Sequence, residues 1–172
     1  MTAGCRKIAA DRPTKRQVLK FAVCLLVCFG VAAGGAMFTR PATLSDWYAQ
    51  LQKPSINPPS WVFGPVWTVL YFLMALAAFL VWDKGVATPC VKTALASFAV
   101  QLALNAAWTP LFFGLHLIGW ALADIIVLLA AIAATILAFK KVSRPAAVLL
   151  IPYLVWVVFA TVLNARLYQL NS

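Results

Sequence analysis

Apolar residues dominate five stretches of the chain, and each stretch is close to the roughly 20 residues that a helix needs to cross a bilayer. The stretches run at about residues 18–38, 63–82, 91–113, 118–139 and 146–167. Their apolar residues do not alternate with polar ones, as the residues of barrel strands would. Backbone groups inside lipid need partners within their own segment, so each stretch is predicted to be an α-helix. The predicted fold class is an all-α membrane protein, a bundle of five transmembrane helices.

The segment before the first apolar stretch is polar and basic. Residues 1–17 are predicted to form an N-terminal tail, and residues 18–170 are predicted to form the transmembrane domain. A basic head followed by an apolar run with small residues at 32–36 is also typical of a cleaved signal peptide. Because the run is long for a signal peptide, we favour a retained helix.

Basic residues collect on one side of the predicted bundle. With five helices, the tail and the gaps at 83–92 and 139–146 share a side that holds eleven of the fourteen Lys and Arg. The other side holds three, which are Arg40, Lys53 and Arg166. This is the bias of the positive-inside rule, and in a plasma membrane it predicts a cytoplasmic N-terminus. It does not distinguish an inner from an outer membrane. It also explains the net charge of +10 without a nucleic-acid partner.

The composition supports a membrane location and removes most catalytic chemistry. Hydrophobic residues make up 64% of the chain and charged residues 10%, against roughly 45–50% and 25% in soluble domains. There is one His, no Glu, and no CxxC among four Cys, so neither a metal site nor acid–base catalysis is predicted. Asp124, an acid inside an apolar stretch, is either functional or a tie to the 114–117 turn beside it.

A long gap separates the first two predicted helices. Residues 39–62 contain four prolines together with Trp47, Tyr48 and Trp61. Long connections are often lids or binding elements, and the prolines stiffen this one. We predict a lid that carries Trp47 and Trp61, although both Trp47 and Tyr48 also suit aromatic anchors at the membrane surface.

Aromatic and amide side chains form stripes on three predicted helices, at spacings of three and four residues. The stripes consist of Phe63, Trp67 and Tyr71; of Phe98, Gln101, Asn105, Trp108 and Phe112; and of Tyr153, Trp156, Ala160 and Asn164. One interpretation is ordinary helix packing, with amides linking neighbouring helices. Together, however, three Trp-bearing faces with polar tips suit a pocket for a large, flat, mostly apolar ligand.

Small residues on the third predicted helix favour close approach of another helix. Ala99, Ala103 and Ala107 lie four residues apart. We predict that Ala99 and Ala103 lie in a homodimer interface, and packing within one chain is the alternative.

Ordered motifs over about residues 20–170 resemble the tryptophan-rich sensory protein family, which includes the mitochondrial translocator protein, also called the peripheral benzodiazepine receptor. The motifs are Trp47-Tyr48, Lys53-Pro54, Asn57-Pro58-Pro59, Phe63-Gly64-Pro65-Val66-Trp67-Thr68, Gln101-Leu102, Leu104-Asn105, Gly119-Trp120-Ala121-Leu122, Pro152-Tyr153, Phe159-Ala160 and Leu163-Asn164. The chain is similar to the bacterial members of this family.

The resemblance implies a five-helix bundle, commonly a homodimer, with a pocket open toward the first loop. It implies that porphyrins such as protoporphyrin IX and benzodiazepine-type ligands bind there, and that no cofactor is required. The positions that match the lining of the family's pocket are Tyr48, Pro58, Phe63, Trp67, Asn105, Trp108, Trp156 and Ala160. To these the stripes add Tyr71 and Asn164 as ligand-binding candidates.

Three functions remain open from the resemblance. The leading hypothesis is a membrane receptor or sensor that binds tetrapyrroles and regulates tetrapyrrole metabolism or a stress response. The alternatives are a transporter of porphyrins or lipids, and light-dependent porphyrin degradation in which Trp67 and Trp156 would take part. Cholesterol is doubtful as a partner, because Tyr168 is followed by no Lys or Arg, as the sterol pattern of animal members requires.

Overall fold

The computed structural model describes residues 14–171, which fold into a helical bundle. Seven α-helices follow one another within this range: α1 (Lys15–Thr43), α2 (Asp46–Gln50), α3 (Phe63–Trp82), α4 (Pro89–Thr109), α5 (Ile118–Val142), α6 (Arg144–Leu149) and α7 (Ile151–Asn171). Across residues 14–171 five spans are long and apolar enough to cross a membrane, and none of these residues lies in a strand. The predicted fold class is confirmed.

The first helix is longer at both ends than the predicted 18–38. It begins with a capping box: the Thr14 hydroxyl accepts from the Gln17 N–H, and the Gln17 side chain accepts from the Thr14 N–H. It ends at Thr43, two residues after Pro41, which lies in the last turn and cannot donate to the carbonyl four residues before it. The long gap predicted at residues 39–62 is therefore shorter and partly helical. Residues 39–43 are helical, and Ser45 caps the short helix α2.

The third membrane span ends in a wider turn. Pro110 has no N–H to donate, and the chain continues as a π-helical turn over Pro110–Gly114, in which the Leu115 N–H donates to the Pro110 carbonyl at 2.8 Å. His116 then adopts φ 58°, a left-handed conformation that turns the chain sharply into α5. The predicted helix 91–113 thus covers two kinds of helix.

The fifth membrane span is interrupted near its start. Helix α6 begins at Arg144 rather than at the predicted 146, with the Ser143 hydroxyl as its N-cap. The helical hydrogen bonding breaks at Leu150, because Pro152 cannot donate to the carbonyl four residues earlier. Helix α7 continues to Asn171, beyond the predicted end at 167.

The helices form a ring in which α1 packs along α3, α4 along α5, and α5 along α7. Apolar side chains also cover the outside, including Leu26, Val100 and Val127, as expected for a surface that faces lipid. We call the end of the bundle with residues 83–88 and 140–144 the basic end. The end with residues 44–59 and 115–117 is the loop end.

An ion pair joins two helices at the basic end. Lys20 Nζ lies 3.0 Å from Asp83 Oδ1, and the Gln17 side-chain amide donates to Asp83 Oδ2 at 2.9 Å. The hydrogen bonds from Gln17 and Lys20 lower the pKa of Asp83. This contact holds the start of α1 against the end of α3.

Candidate functional site

A cavity of about 430 Å³ occupies the half of the bundle nearest the loop end. Helices α1, α3, α4, α5 and α7, the π-helical turn and the 44–59 segment all contribute to its walls. This volume lies within the roughly 300–1,000 Å³ of small-molecule sites. The arrangement can hold an organic ligand inside the membrane span.

Aromatic rings form the walls and brace one another. The Phe63 and Trp156 rings meet edge to face at a centroid distance of 5.9 Å, and Trp67 lies 5.5 Å from Tyr71. The Trp108 ring stacks on Phe112 at 5.0 Å with 17° between the planes. Since each ring is held by another ring, the walls stay apart and the space between them remains open.

Hydrogen bonds fix the polar groups of the lining. The Tyr71 hydroxyl donates to Asn105 Oδ1 at 2.6 Å. Trp108 Nε1 donates to Asn164 Oδ1 at 3.0 Å, and Asn164 Nδ2 donates to the Ile118 carbonyl at 3.1 Å. By contrast, Trp156 Nε1 is buried and has no hydrogen-bond acceptor among residues 14–171.

The rim of the cavity is polar. It contains Thr39, Arg40 and Thr43 from the end of α1, together with Tyr48 and Ser60. Burial raises the pKa of the Tyr48 hydroxyl, and a hydrogen bond with Ser60 lowers it by a smaller amount. The phenol is therefore neutral at physiological pH.

Two contacts hold the 44–59 segment over the loop end. The Trp47 ring stacks on His116 at 3.9 Å with 14° between the planes. The Gln52 N–H donates to Asn171 Oδ1 at 2.9 Å, and Asn171 Nδ2 donates back to the Gln52 carbonyl at 3.0 Å. We call these two contacts the latch.

The structure brings most of the predicted ligand-binding residues together. Nine of them line the cavity: Tyr48, Phe63, Trp67, Tyr71, Asn105, Trp108, Trp156, Ala160 and Asn164. Pro58 does not line it, whereas Asn57 and Ser60 do. Pro59 has φ −55° and ψ 139°, close to polyproline II geometry with three residues per turn. In such a segment residues three apart, such as Asn57 and Ser60, point to the same side, and Pro58 points to a different one.

The predicted lid and interface residues lie outside the cavity. Trp47 packs behind it against Phe112 and His116, and Trp61 is 74% exposed. Ala99 and Ala103 are exposed on the outer face of α4. Asp124 is half-buried away from the lining, and its Oδ2 has no hydrogen-bond partner among the described residues.

The aromatic pattern of the sequence does not indicate that α1 and α5 contribute to the lining. Helix α1 supplies Ala32, Gly35 and Arg40 among others, and α5 supplies Ile125 and Leu128. Neither helix carries an aromatic stripe, which was the signal used for the other three. A usable signal was the run of small residues at 32–36, because small side chains leave space beside a helix.

Five apolar spans around an internal aromatic cavity define an integral, multi-pass membrane protein. The chain belongs to the TspO/MBR family, whose sequence model matches residues 22–170. The resemblance read from the motifs is thereby confirmed.

Relatives from bacteria and animals are similar over most of the chain. The tryptophan-rich protein TspO of Chlorobaculum tepidum is 44% identical over 156 residues, covering 91% of this chain and 98% of its own. The tryptophan-rich sensory protein of Cereibacter sphaeroides is 46% identical over 82% of this chain and 88% of its own. The translocator protein of Homo sapiens is 48% identical over 73% of this chain and 75% of its own.

Proposed function

We propose that this protein is a membrane sensor or receptor that binds tetrapyrroles such as protoporphyrin IX, and also benzodiazepine-type ligands, in its aromatic cavity. Binding would regulate tetrapyrrole metabolism or a stress response. The observation that carries the proposal is the lining itself, in which Trp67, Trp108 and Trp156 surround one cavity. The names of the relatives, a sensory protein and a translocator protein, agree with a role in ligand recognition.

The chemistry of the lining suits a flat macrocycle. Indole and phenyl faces bind a planar apolar ring by stacking and edge contacts. The Asn105 side-chain oxygen and both polar side-chain atoms of Asn164 are already engaged, so these atoms shape the wall rather than bind the ligand.

Protoporphyrin binding in detergent tests the proposal. The ligand's own absorbance is followed, because the variants change the protein's fluorescence. We expect the double substitution Trp67→Ala, Trp156→Ala to weaken binding by at least about tenfold, through the loss of two aromatic walls. Trp120→Ala is the matched control, since Trp120 is 69% exposed and lies outside the cavity. Equal affinity of the double variant and the wild type would refute this pocket.

The two alternative functions predicted from the resemblance have separate tests. If the protein is a transporter, liposomes that contain it should take up porphyrin faster than protein-free liposomes do. A degrading activity would bleach bound porphyrin in light faster than free porphyrin, and would be lost in the Trp67→Ala, Trp156→Ala variant. A sensor requires neither result.

We also propose that two copies pair through the outer face of α4. Ala96, Ala99 and Ala103 are exposed there, and small residues allow two helices to approach closely in a membrane. In a Cys5→Ser, Cys90→Ser background, Ala99→Cys should crosslink. Val127→Cys, at an exposed position on α5, should not. Equal crosslinking at both positions would contradict the pairing.

A further inference from the structure

The charge distribution at the cavity is uneven. Arg40 is the one lining residue, within the described part of the chain, that carries a formal charge. It lies in the last turn of α1, at the rim, while the lining below it carries no formal charge. A ligand inside the cavity therefore meets a single positive group, at one end.

The guanidinium of Arg40 is not neutralised by the protein. Among residues 14–171 it makes no side-chain hydrogen bond and no ion pair, and the single ion pair of this range is Lys20–Asp83 at the opposite end. The other two cations at the loop end are engaged. Lys53 Nζ donates to the Tyr48 carbonyl at 2.7 Å and lies over the Tyr48 ring, and Arg166 donates to Gln169 at 3.2 Å.

Three neighbouring polar side chains of the lining already donate to backbone carbonyls. The Thr39 hydroxyl donates to the Gly35 carbonyl at 3.0 Å, and the Thr43 hydroxyl donates to the Arg40 carbonyl at 3.1 Å. The Asn57 amide donates to the Pro58 carbonyl at 3.2 Å. A carboxylate accepts hydrogen bonds and donates none, so the two threonine hydroxyls, whose single donors are used, have little to offer it, and Asn57 keeps one N–H. The five N–H donors of Arg40 remain available.

We infer that Arg40 is a specificity-determining residue, which selects ligands bearing a carboxylate and orients that carboxylate toward the rim. This inference rests on the proposed function. The apolar ring of the ligand enters between the aromatic walls, and its acidic arm pairs with the planar guanidinium, whose geometry matches a carboxylate. The cavity then distinguishes an acidic tetrapyrrole from a neutral ligand of the same shape.

The test compares one ligand in two charge states. Protoporphyrin IX carries two carboxylates, and its dimethyl ester carries none. Both are titrated into the full-length protein in detergent, as wild type, Arg40→Gln and Arg166→Gln. Because each affinity is expressed relative to the wild type for the same ligand, partition of that ligand into detergent cancels.

For Arg40→Gln we expect the affinity for the diacid to fall about fivefold to tenfold, which is the range for a partly solvated, charge-assisted hydrogen bond. The affinity for the diester should change by less than about twofold, which also shows that the variant is folded. Arg166→Gln should leave both affinities unchanged. High salt should reduce the loss, because screening weakens the wild-type pair.

The outcomes separate this inference from the proposed function. If Arg40→Gln lowers both affinities equally, or neither, the selectivity role is wrong while porphyrin binding stands. If the wild type binds neither ligand, the proposed function is wrong and this inference falls with it.

Discussion

The same helices pack tightly at one end of the bundle and surround a cavity at the other. In the half of α3 nearest the basic end, Met74, Ala75, Ala77 and Val81 are completely buried against the neighbouring helices. In the half nearest the loop end, Phe63, Trp67 and Tyr71 face an open cavity. Small residues let helices touch, whereas braced rings hold them apart. Along α3, therefore, the aromatic residues line the cavity and the small residues pack against neighbouring helices.

The same division repeats along the last membrane span. Ala146, Ala147 and Leu150 are buried near the basic end, and Trp156 and Ala160 line the cavity beyond them. Helices held firmly at one end can keep a cavity at the other end without collapse. Stability and ligand binding should therefore respond to different substitutions.

A matched pair of substitutions, one in each half of the bundle, should give the largest effects on ligand binding and on stability. Ala160→Leu places extra carbons in the cavity, and we expect it to weaken protoporphyrin binding on the order of tenfold to a hundredfold, as when extra bulk fills a ligand pocket. Its thermal midpoint should stay near that of the wild type, because space is available. Ala75→Leu adds the same atoms where no space exists, and should cost about 1–3 kcal/mol of stability.

Thermal unfolding and porphyrin titration of both variants measure these two effects. If Ala75→Leu is tolerated as well as Ala160→Leu is, the basic end is not tightly packed. If Ala160→Leu binds porphyrin like the wild type, the ligand does not occupy the cavity near α7.

The latch should affect ligand exchange more than stability. Asn171→Ala removes both hydrogen bonds to the Gln52 backbone. Since each such bond contributes about 0.5–1.5 kcal/mol net and these are exposed, we expect porphyrin to dissociate about threefold faster, with little change in thermal midpoint. Stopped-flow displacement measures the rate. Gln169→Ala, on the same helix but bonded only to Arg166, is the control and should exchange at the wild-type rate.

Periodicity predicted the parts of the site that lie on stripes. Trp67 and Tyr71 on α3, and Trp156 and Ala160 on α7, reach one cavity because residues three and four apart share a helix face. The helix count followed from segment length and from the need to satisfy backbone groups in lipid.

Contacts between residues that are far apart in the sequence produce no periodic pattern. Gln52 and Asn171 are 119 positions apart, and neither belongs to a periodic run, so their pairing had no signal in the sequence. The stacking of Trp47 on His116 depends on the left-handed turn at His116, which side-chain patterns do not reveal. The charge distribution along the sequence identifies Arg40 only as one of three basic residues on the side opposite the N-terminus. Its position at the rim depends on α1 continuing past the predicted end at residue 38.

The ion pair at the basic end gives the smallest expected effect, and it has a pH signature. The pKa of Asp83 is lowered in the folded protein, so its contribution to stability is present above the unfolded value of about 3.9 and is lost as the pH falls through the lowered folded value. Asp83→Asn should therefore destabilise by less than about 1 kcal/mol at pH 7. The difference from the wild type should begin to shrink below about pH 4 and vanish only once the pH lies below the lowered folded value.

Thermal midpoints at pH 7 and pH 3 measure this difference, and Asp46→Asn at the loop end is the control. Because the Lys20–Asp83 pair lies at the end opposite the cavity, porphyrin affinity at pH 7 should be the same in Asp83→Asn and the wild type. A loss of affinity in that variant would mean that contacts at the basic end set the width of the cavity. The two halves of the bundle would then be mechanically coupled rather than independent.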